Sequence, residues 1–153
     1  MERLDAETGI TIARLGQPVE LYRETFLQNA MGRFAFLGPF ETNHMGAREL
    51  FLWVALPVDP AGTEPILEVN GTPLTLGTPG RDAQFAGLSK SPYKIPTPWS
   101  AMYYYKVDAA LITRLGEATD LSIRVVETVK DGTKKTLFAA PVVDGRLKEF
   151  AAR

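Results

Sequence analysis

His44 is the only histidine among 153 residues, and there is no cysteine. The chemistry open to the chain is narrow from the outset. A triad hydrolase needs a base beside its nucleophile, yet His44 sits in ETNHMG and no Gly-x-Ser-x-Gly accompanies it. Glu41-x-x-His44 supplies half of a metal site. Zinc or iron would need a second and a third ligand that the sequence does not identify, so His44 reads as a solvated turn histidine and no metal is expected. The glycines of GTPLTLGTPGRD precede no Gly-Lys-Ser/Thr and lead into no helix, which excludes a P-loop. Glu41 with Glu49, or Asp59 with Glu64, are the residue types that glycoside hydrolysis uses, where carboxylate separation decides the mechanism. Spaced acids are also the ordinary state of a surface. The expectation is a chain that is not an enzyme and carries no cofactor.

The second feature is aromatic. PYKIPTPWSAMYYYKVD, residues 92–108, holds four of the five tyrosines and one of the two tryptophans. Read as a strand, it turns Ala101, Tyr103, Tyr105 and Val107 to one face and Met102, Tyr104 and Lys106 to the other. The first set is core-like; the second is amphipathic, with Tyr104 expected at least partly exposed. Tyr93 and Trp99 lie in the proline-rich approach, placed to fold back as a lid. Aromatic residues more often fill cores than bind ligands. The functional reading is a surface of Tyr93, Trp99 and Tyr104 with Trp53 and Phe51, since aromatics and Met are enriched at interfaces and flat rings also stack on sugars.

The elements that must position these groups are mostly strands. GITIARL and VELYRE alternate with period two around Gly16-Gln17-Pro18. ETFLQNAMG, residues 24–32, fits a short helical turn or an irregular crossover. RFAFLGPF and RELFLWVAL are expected to pair through the turn ETNHMGA. In the second of these, Leu50, Leu52, Val54 and Leu56 oppose Phe51, Trp53 and Ala55. Both faces are apolar, as in a central strand covered on both sides or one whose outer face meets a partner. Asn70-Gly71 marks a type I′ hairpin; it also opens an Asn-Gly-Thr acceptor pattern for glycosylation, which the turn role explains better. Residues 77–98 are rich in Gly, Pro and Ser and form a long ordered loop or flap. A short helix follows near 108–115, with Asp108 as N-cap and Gly116 as its stop. LSIRVVETV and KTLFAAPVV form a strand pair around KDGTK, and RLKEFAAR ends the chain as a helical turn or frays.

Some eight short strands and one helix predict a mainly all-β single domain over 1–153, an antiparallel β-sandwich of general immunoglobulin-like architecture. The formal net charge of −1 argues against nucleic acid. Residues 1–80 carry five arginines against ten carboxylates, net −5, and residues 81–153 twelve basic against eight acidic side chains, net +4. Interleaved halves would neutralise each other, whereas separate poles would favour self-association. No apolar run is long enough for a membrane span, and MERLDAETG contains no signal peptide.

GRFAFLGPFETNHMGARELFLWVALP and PWSAMYYYKVDAALITRLGEATDLSIRVVE resemble parts of uncharacterised proteobacterial envelope proteins, often made as lipoproteins. The resemblance covers about half of the chain and includes no catalytic motif. It implies a bacterial envelope or periplasmic location, with the cytoplasm left open, and a lipid anchor if a longer precursor exists. The leading expectation is a non-catalytic envelope domain that binds another protein or itself, as a homodimer for example. The alternative is a small-molecule or carbohydrate-binding module using Trp99 and Tyr93 beneath the 77–98 loop.

Overall fold

A computed structural model describes residues 2–23, 34–56, 65–94, 101–129, 132–140 and 146–152. The strands are β1 (Glu2–Asp5), β2 (Ile10–Arg14), β3 (Val19–Arg23), β4 (Phe34–His44), β5 (Ala47–Leu56), β6 (Ile66–Val69), β7 (Thr72–Pro73), β8 (Ala101–Val107), β9 (Leu121–Val129) and β10 (Gly132–Ala140). Two helices, α1 (Ala109–Glu117) and α2 (Arg146–Ala151), and a 3-10 turn, Ala83–Ala86, complete the described elements. The fold is mainly antiparallel β-sheet, as the alternation implied. One sheet runs β1-β2-β4-β5-β8, with β3 also on β4, and the other runs β10-β9-β6-β7.

β2 and β3 lie end to end along one edge of β4. Arg14 faces Phe40 and Val19 faces Leu37, so residues 15–18 stand opposite Gly38 and Pro39 alone. Gly16 and Pro18 interrupt the period-two pattern at this point, and the edge bulges. The β4–β5 ladder continues to His44 and Ala47, leaving a two-residue turn, Met45-Gly46. The expected seven-residue turn ETNHMGA is thus mostly strand. It closes because Met45 and Gly46 take φ of 55° and 91°, and Asn43 Oδ1 accepts from the Gly46 N–H at 3.0 Å. β1 is a strand that the sequence reading did not find.

Both faces of β5 are covered: Phe51 through Leu56 are all buried. Register puts Phe40 opposite Phe51, Gly38 opposite Trp53, and Trp53 opposite Tyr104 on one face. Leu37, Leu52, Val54, Tyr103 and Tyr105 occupy the other. Buried side chains of both sheets and both helices belong to one continuous core. Burying each large apolar side chain contributes roughly 2 kcal/mol.

Asp108 caps α1 as expected, its Oδ1 accepting from the Leu111 N–H at 2.8 Å. Gly116 is not the stop, because the helix continues to Glu117. Its lack of a side chain serves packing: a Cβ there would stand 2.8 Å from the Lys148 Cα on α2. α2 docks through Leu147 and Phe150, both buried, so the terminal segment does not fray. Asn70 and Gly71 form the expected hairpin, with φ of 51° and 81°. The Asn70 Oδ1 also accepts from Thr119 N–H, Thr119 O–H and Asp120 N–H, each at 3.0 Å, which ties β6 to the α1–β9 connection. The 24–32 segment and the KDGTK turn lie wholly or partly outside the described residues.

Gly116→Ala separates the two roles of this glycine. In a free helix the change stabilises by about 1 kcal/mol. Here the forced shift of α2 is expected to outweigh that gain and destabilise by about 1–3 kcal/mol in urea unfolding.

Candidate functional site

Residues 77–94 form an ordered cover over the Phe51–Trp53 face. The cover is fastened first by backbone: Gly80 and Tyr104 exchange two hydrogen bonds of 2.8 Å, adding one residue to the edge of β8. Asp82 then caps the 3-10 turn by accepting from the Gln84 N–H, and Gly87 at φ 76° reverses the chain. Ala86 and Leu88 point inward and are buried, and Phe85 lies edge-on to Phe51 with centroids 6.2 Å apart. Arg81 closes the rim, its guanidinium 4.4 Å from the Tyr103 ring and its Nε donating to the Met102 carbonyl at 3.0 Å.

Tyr93 fastens the far limb. Its ring lies where a Gly38 side chain would be, since a Cβ there would come within 2.3 Å of the ring. The other side of the ring region meets Trp53, centroids 5.2 Å apart, and Arg14 sits 5.5 Å from the centroid. The hydroxyl enters the bulge between β2 and β4, donating to the Pro39 carbonyl and accepting the Leu15 N–H at 3.1 Å. Two backbone groups without a ladder partner are thereby satisfied. Tyr93→Phe leaves both unpaired.

Between these fastenings, Asp5 latches the cover to the β1–β2 turn. Its carboxylate accepts from Ser89 N–H at 2.9 Å and from the Ser89 hydroxyl at 2.8 and 2.9 Å. The Ser89 backbone N–H, then its hydroxyl, hold the Asp5 carboxyl below its ordinary value of 3.8, against the opposing effect of burial.

Of the five residues expected to form an aromatic surface, Phe51, Trp53, Tyr93 and Tyr104 do come together, but as a buried cluster. Trp99 lies outside the described residues. Tyr104, expected to be partly exposed, is 0% exposed because the Gly80 segment and the cover close over it. Phe40 completes the cluster, stacked on Phe51 at 5.2 Å and edge-on to Tyr104 at 6.3 Å. Burial pushes the Tyr104 phenol above its ordinary value. The Ser91 hydroxyl and the Trp53 N–H act in the opposite direction, although neither the Tyr104 hydroxyl nor the Trp53 Nε1 completes a hydrogen bond.

Among the described residues, and ahead of Ile66 and Phe85, the two most exposed large apolar side chains lie toward the β4–β5 hairpin end. Met45, at its tip, is 94% exposed, and Leu4 on β1 is 61% exposed. Leu4, Thr11, Asn43 and Arg48 are successive partners across β1, β2, β4 and β5. They belong to the face opposite Trp53. Beside them opens a polar cleft of ≈ 340 Å³ lined by Glu2, Thr11, Ala13, Glu41, Asn43 and Arg48. Sequence reasoning passed over Met45, Leu4 and Arg48. The signal available was Met before Gly at a hairpin tip, where Asn or Asp is the common choice.

The carboxylate pair Glu41 and Glu49 does not converge. Glu41 opposes Leu50 and Glu49 opposes Thr42, so alternation sends them to opposite faces of the sheet. Glu49 instead meets Lys106 at 3.5 Å. The same alternation separates Glu41 from His44. Asp59 and Glu64 lie outside the described residues. Among the described residues no group of three His, Asp or Glu side chains is placed to hold a metal ion, and no helix is long and apolar enough to cross a membrane. No protein-family model matches the chain, and no curated protein and no solved structure shows significant similarity to it.

Two outcomes follow from the fastenings of the cover. Tyr93→Phe is expected to lower stability by about 2 kcal/mol in urea unfolding, since it strands a buried donor and a buried acceptor. Asp5, with its folded value depressed, contributes stability that is present above pH 3.8 and lost as pH falls through the lower folded value. The stability gap between the wild type and Asp5→Asn is therefore expected to be constant near neutrality and to close below pH 3.8.

Proposed function

We propose that this chain is a non-catalytic binding domain that engages another protein, or a second copy of itself, through the end of the β4–β5 hairpin. The observation that carries this reading is Met45. Among the described residues two hairpins close on two-residue turns with both residues at positive φ, Met45-Gly46 at 55° and 91° and Asn70-Gly71 at 51° and 81°. Asn tolerates the left-handed region, whereas a longer side chain there costs about 1–2 kcal/mol. Met45 accepts that cost while 94% of its surface meets solvent, so its side chain contributes almost nothing to the core. A flexible, polarisable apolar group held at the tip of a rigid hairpin suits insertion into a partner's pocket.

The surroundings support the same use. Leu4 adds a second exposed apolar group, and Glu2, Glu41, Thr11, Asn43 and Arg48 supply a polar margin, the usual arrangement of an apolar anchor with a hydrogen-bonding rim. Among the described residues β1 has a ladder only with β2, so its outer edge is placed to add a strand from a partner. The divergence of Glu41 and Glu49 supports a non-catalytic reading. Two antiparallel sheets sharing one core support reading the architecture as a β-sandwich, immunoglobulin-like in general form. Residence in the bacterial envelope or periplasm, with a lipid anchor in a longer precursor, rests on the resemblance of segments 32–57 and 98–127.

A photo-crosslinking residue placed at position 45 tests the reading, with Lys148 on α2 as the control position. A discrete adduct from position 45 alone, of twice the chain mass for self-association or of another mass for a second protein, is the expected result. No adduct from position 45 in the native host overturns it. Met45→Asn supplies an independent check. Stability is expected to rise by about 1 kcal/mol as the left-handed strain is relieved, while association weakens at least tenfold. A variant that is more stable and associates as before removes the hairpin tip from the interface.

A further inference from the structure

The cover over the aromatic cluster leaves one local account open. Trp53 and Tyr104 are partners across the β5–β8 ladder, and both are 0% exposed. Buried indole N–H and phenol O–H groups ordinarily find a partner, because losing water without replacement is unfavourable. Here neither the Trp53 Nε1 nor the Tyr104 hydroxyl has one. The Ser91 hydroxyl and the Trp53 indole N–H both act on the Tyr104 hydroxyl, each short of hydrogen-bond geometry, and the Ser91 proton goes to the Tyr93 carbonyl at 2.7 Å. Three neutral polar groups therefore converge under the cover: one that only donates, and two hydroxyls that also accept. The walls are aromatic, with Phe40, Phe51 and Tyr93 around them.

The cover also has the construction of a segment that opens. It is held firmly at its ends, by the paired backbone of Gly80 and by the Tyr93 hydroxyl in the bulge. Between them, residues 82–92 are tied to the β1–β2 turn by the Ser89–Asp5 bonds and seat Ala86 and Leu88 in the core, with a single 3-10 turn and no strand ladder. A span fastened at both ends and latched in the middle opens locally at less free energy than the whole domain unfolds.

We propose that the floor formed by Trp53, Tyr104 and Ser91 is a binding site for a small neutral polyol of monosaccharide size, admitted when residues 82–92 lift. The ligand's oxygens accept the Trp53 N–H and pair with the two hydroxyls, and its apolar ring face meets the surrounding aromatic rings. A neutral ligand is favoured because the three convergent groups carry no charge. This site lies on the face of the sheet opposite the polar cleft beside Met45, and it stands or falls independently of the hairpin reading.

The indole proton resonance of Trp53 reports directly on the site. Trp99→Phe leaves Trp53 as the only tryptophan and identifies its signal. Methyl glucoside, methyl galactoside and N-acetylglucosamine are titrated to 100 mM, with glycerol as the minimal polyol. At least one ring-sized probe is expected to move the Trp53 indole signal downfield and to raise the melting temperature of the unmodified protein by 2 °C or more. Tyr104→Phe is expected to weaken that binding at least tenfold, and Ser91→Ala to weaken it separately, which keeps the test sound if one variant folds poorly. Ser89→Ala, which loosens the latch, is expected to speed association. No response to any ring-sized probe overturns the proposal, as does undiminished binding by Tyr104→Phe and Ser91→Ala together. Met45→Asn is expected to leave the probe response unchanged.

Discussion

Between Arg14 and Val19 the β2–β3 edge carries four residues against two on β4, and the Leu15 N–H and Pro39 carbonyl find their partner in the hydroxyl of Tyr93. A buried backbone donor or acceptor left alone costs about 1–3 kcal/mol, a large fraction of a domain's net stability. One phenol serves both. Its position then dictates several others: residue 38 has to be glycine, because the ring fills the volume of any side chain there. Trp53 packs beside the same ring, and Arg14 stands over it while its Nη1 donates to the Leu15 and Gly16 carbonyls. The bulge, the glycine, the tryptophan and the loop form one mutually dependent unit.

That unit explains how a strand with apolar side chains on both faces exists in a chain of this size. β5 has a sheet neighbour on each side and buried groups above and below. One face is closed by residues 77–94, a loop with a single 3-10 turn and no ladder of its own beyond the Gly80–Tyr104 pair. A loop can replace a layer only if its backbone polar groups are satisfied. Asp82, Gly87 and the Ser89–Asp5 bonds supply those partners in turn. The latch reaches across 84 residues of sequence and couples the N-terminal hairpin to the cover.

Patterns with short range were legible in the sequence. Asn70-Gly71, the Asp108 cap and the period-two runs of β2, β5, β8 and β9 each depend on neighbouring residues, and each formed where expected. The β4–β5 turn is shorter than expected because polar Glu41, Thr42 and Asn43 look like loop residues, although they are paired strand. Gly116 looked like a helix stop because the sequence does not show that α2 returns to lie against it. Tyr104 departs furthest from its expected exposure. Alternation correctly set it opposite Tyr103 and Tyr105, yet which face a strand exposes depends on what covers it, and the cover comes from a loop without periodicity. Phe51, Trp53, Tyr93 and Tyr104 lie together, but buried rather than as a surface, because the cover and the Tyr93–Gly38 contact are brought into place only in the folded chain.

The turns Met45-Gly46 and Asn70-Gly71 separate what folding explains from what it does not. Asn70 suits its turn by backbone preference, and its side chain accepts three hydrogen bonds from the α1–β9 connection, so the fold accounts for it fully. Met45 occupies an equivalent backbone position with the less suitable residue and a side chain turned to solvent. The same contrast holds inside the molecule. Phe40 and Phe51 stack on each other, whereas Trp53 and Tyr104, equally buried, bring together polar atoms that complete no hydrogen bond. Residues that local structure and packing account for need no further role. Met45 on the outside, and Trp53 with Tyr104 beneath the cover, depart from that rule, and departures of this kind concentrate where a protein meets something other than itself.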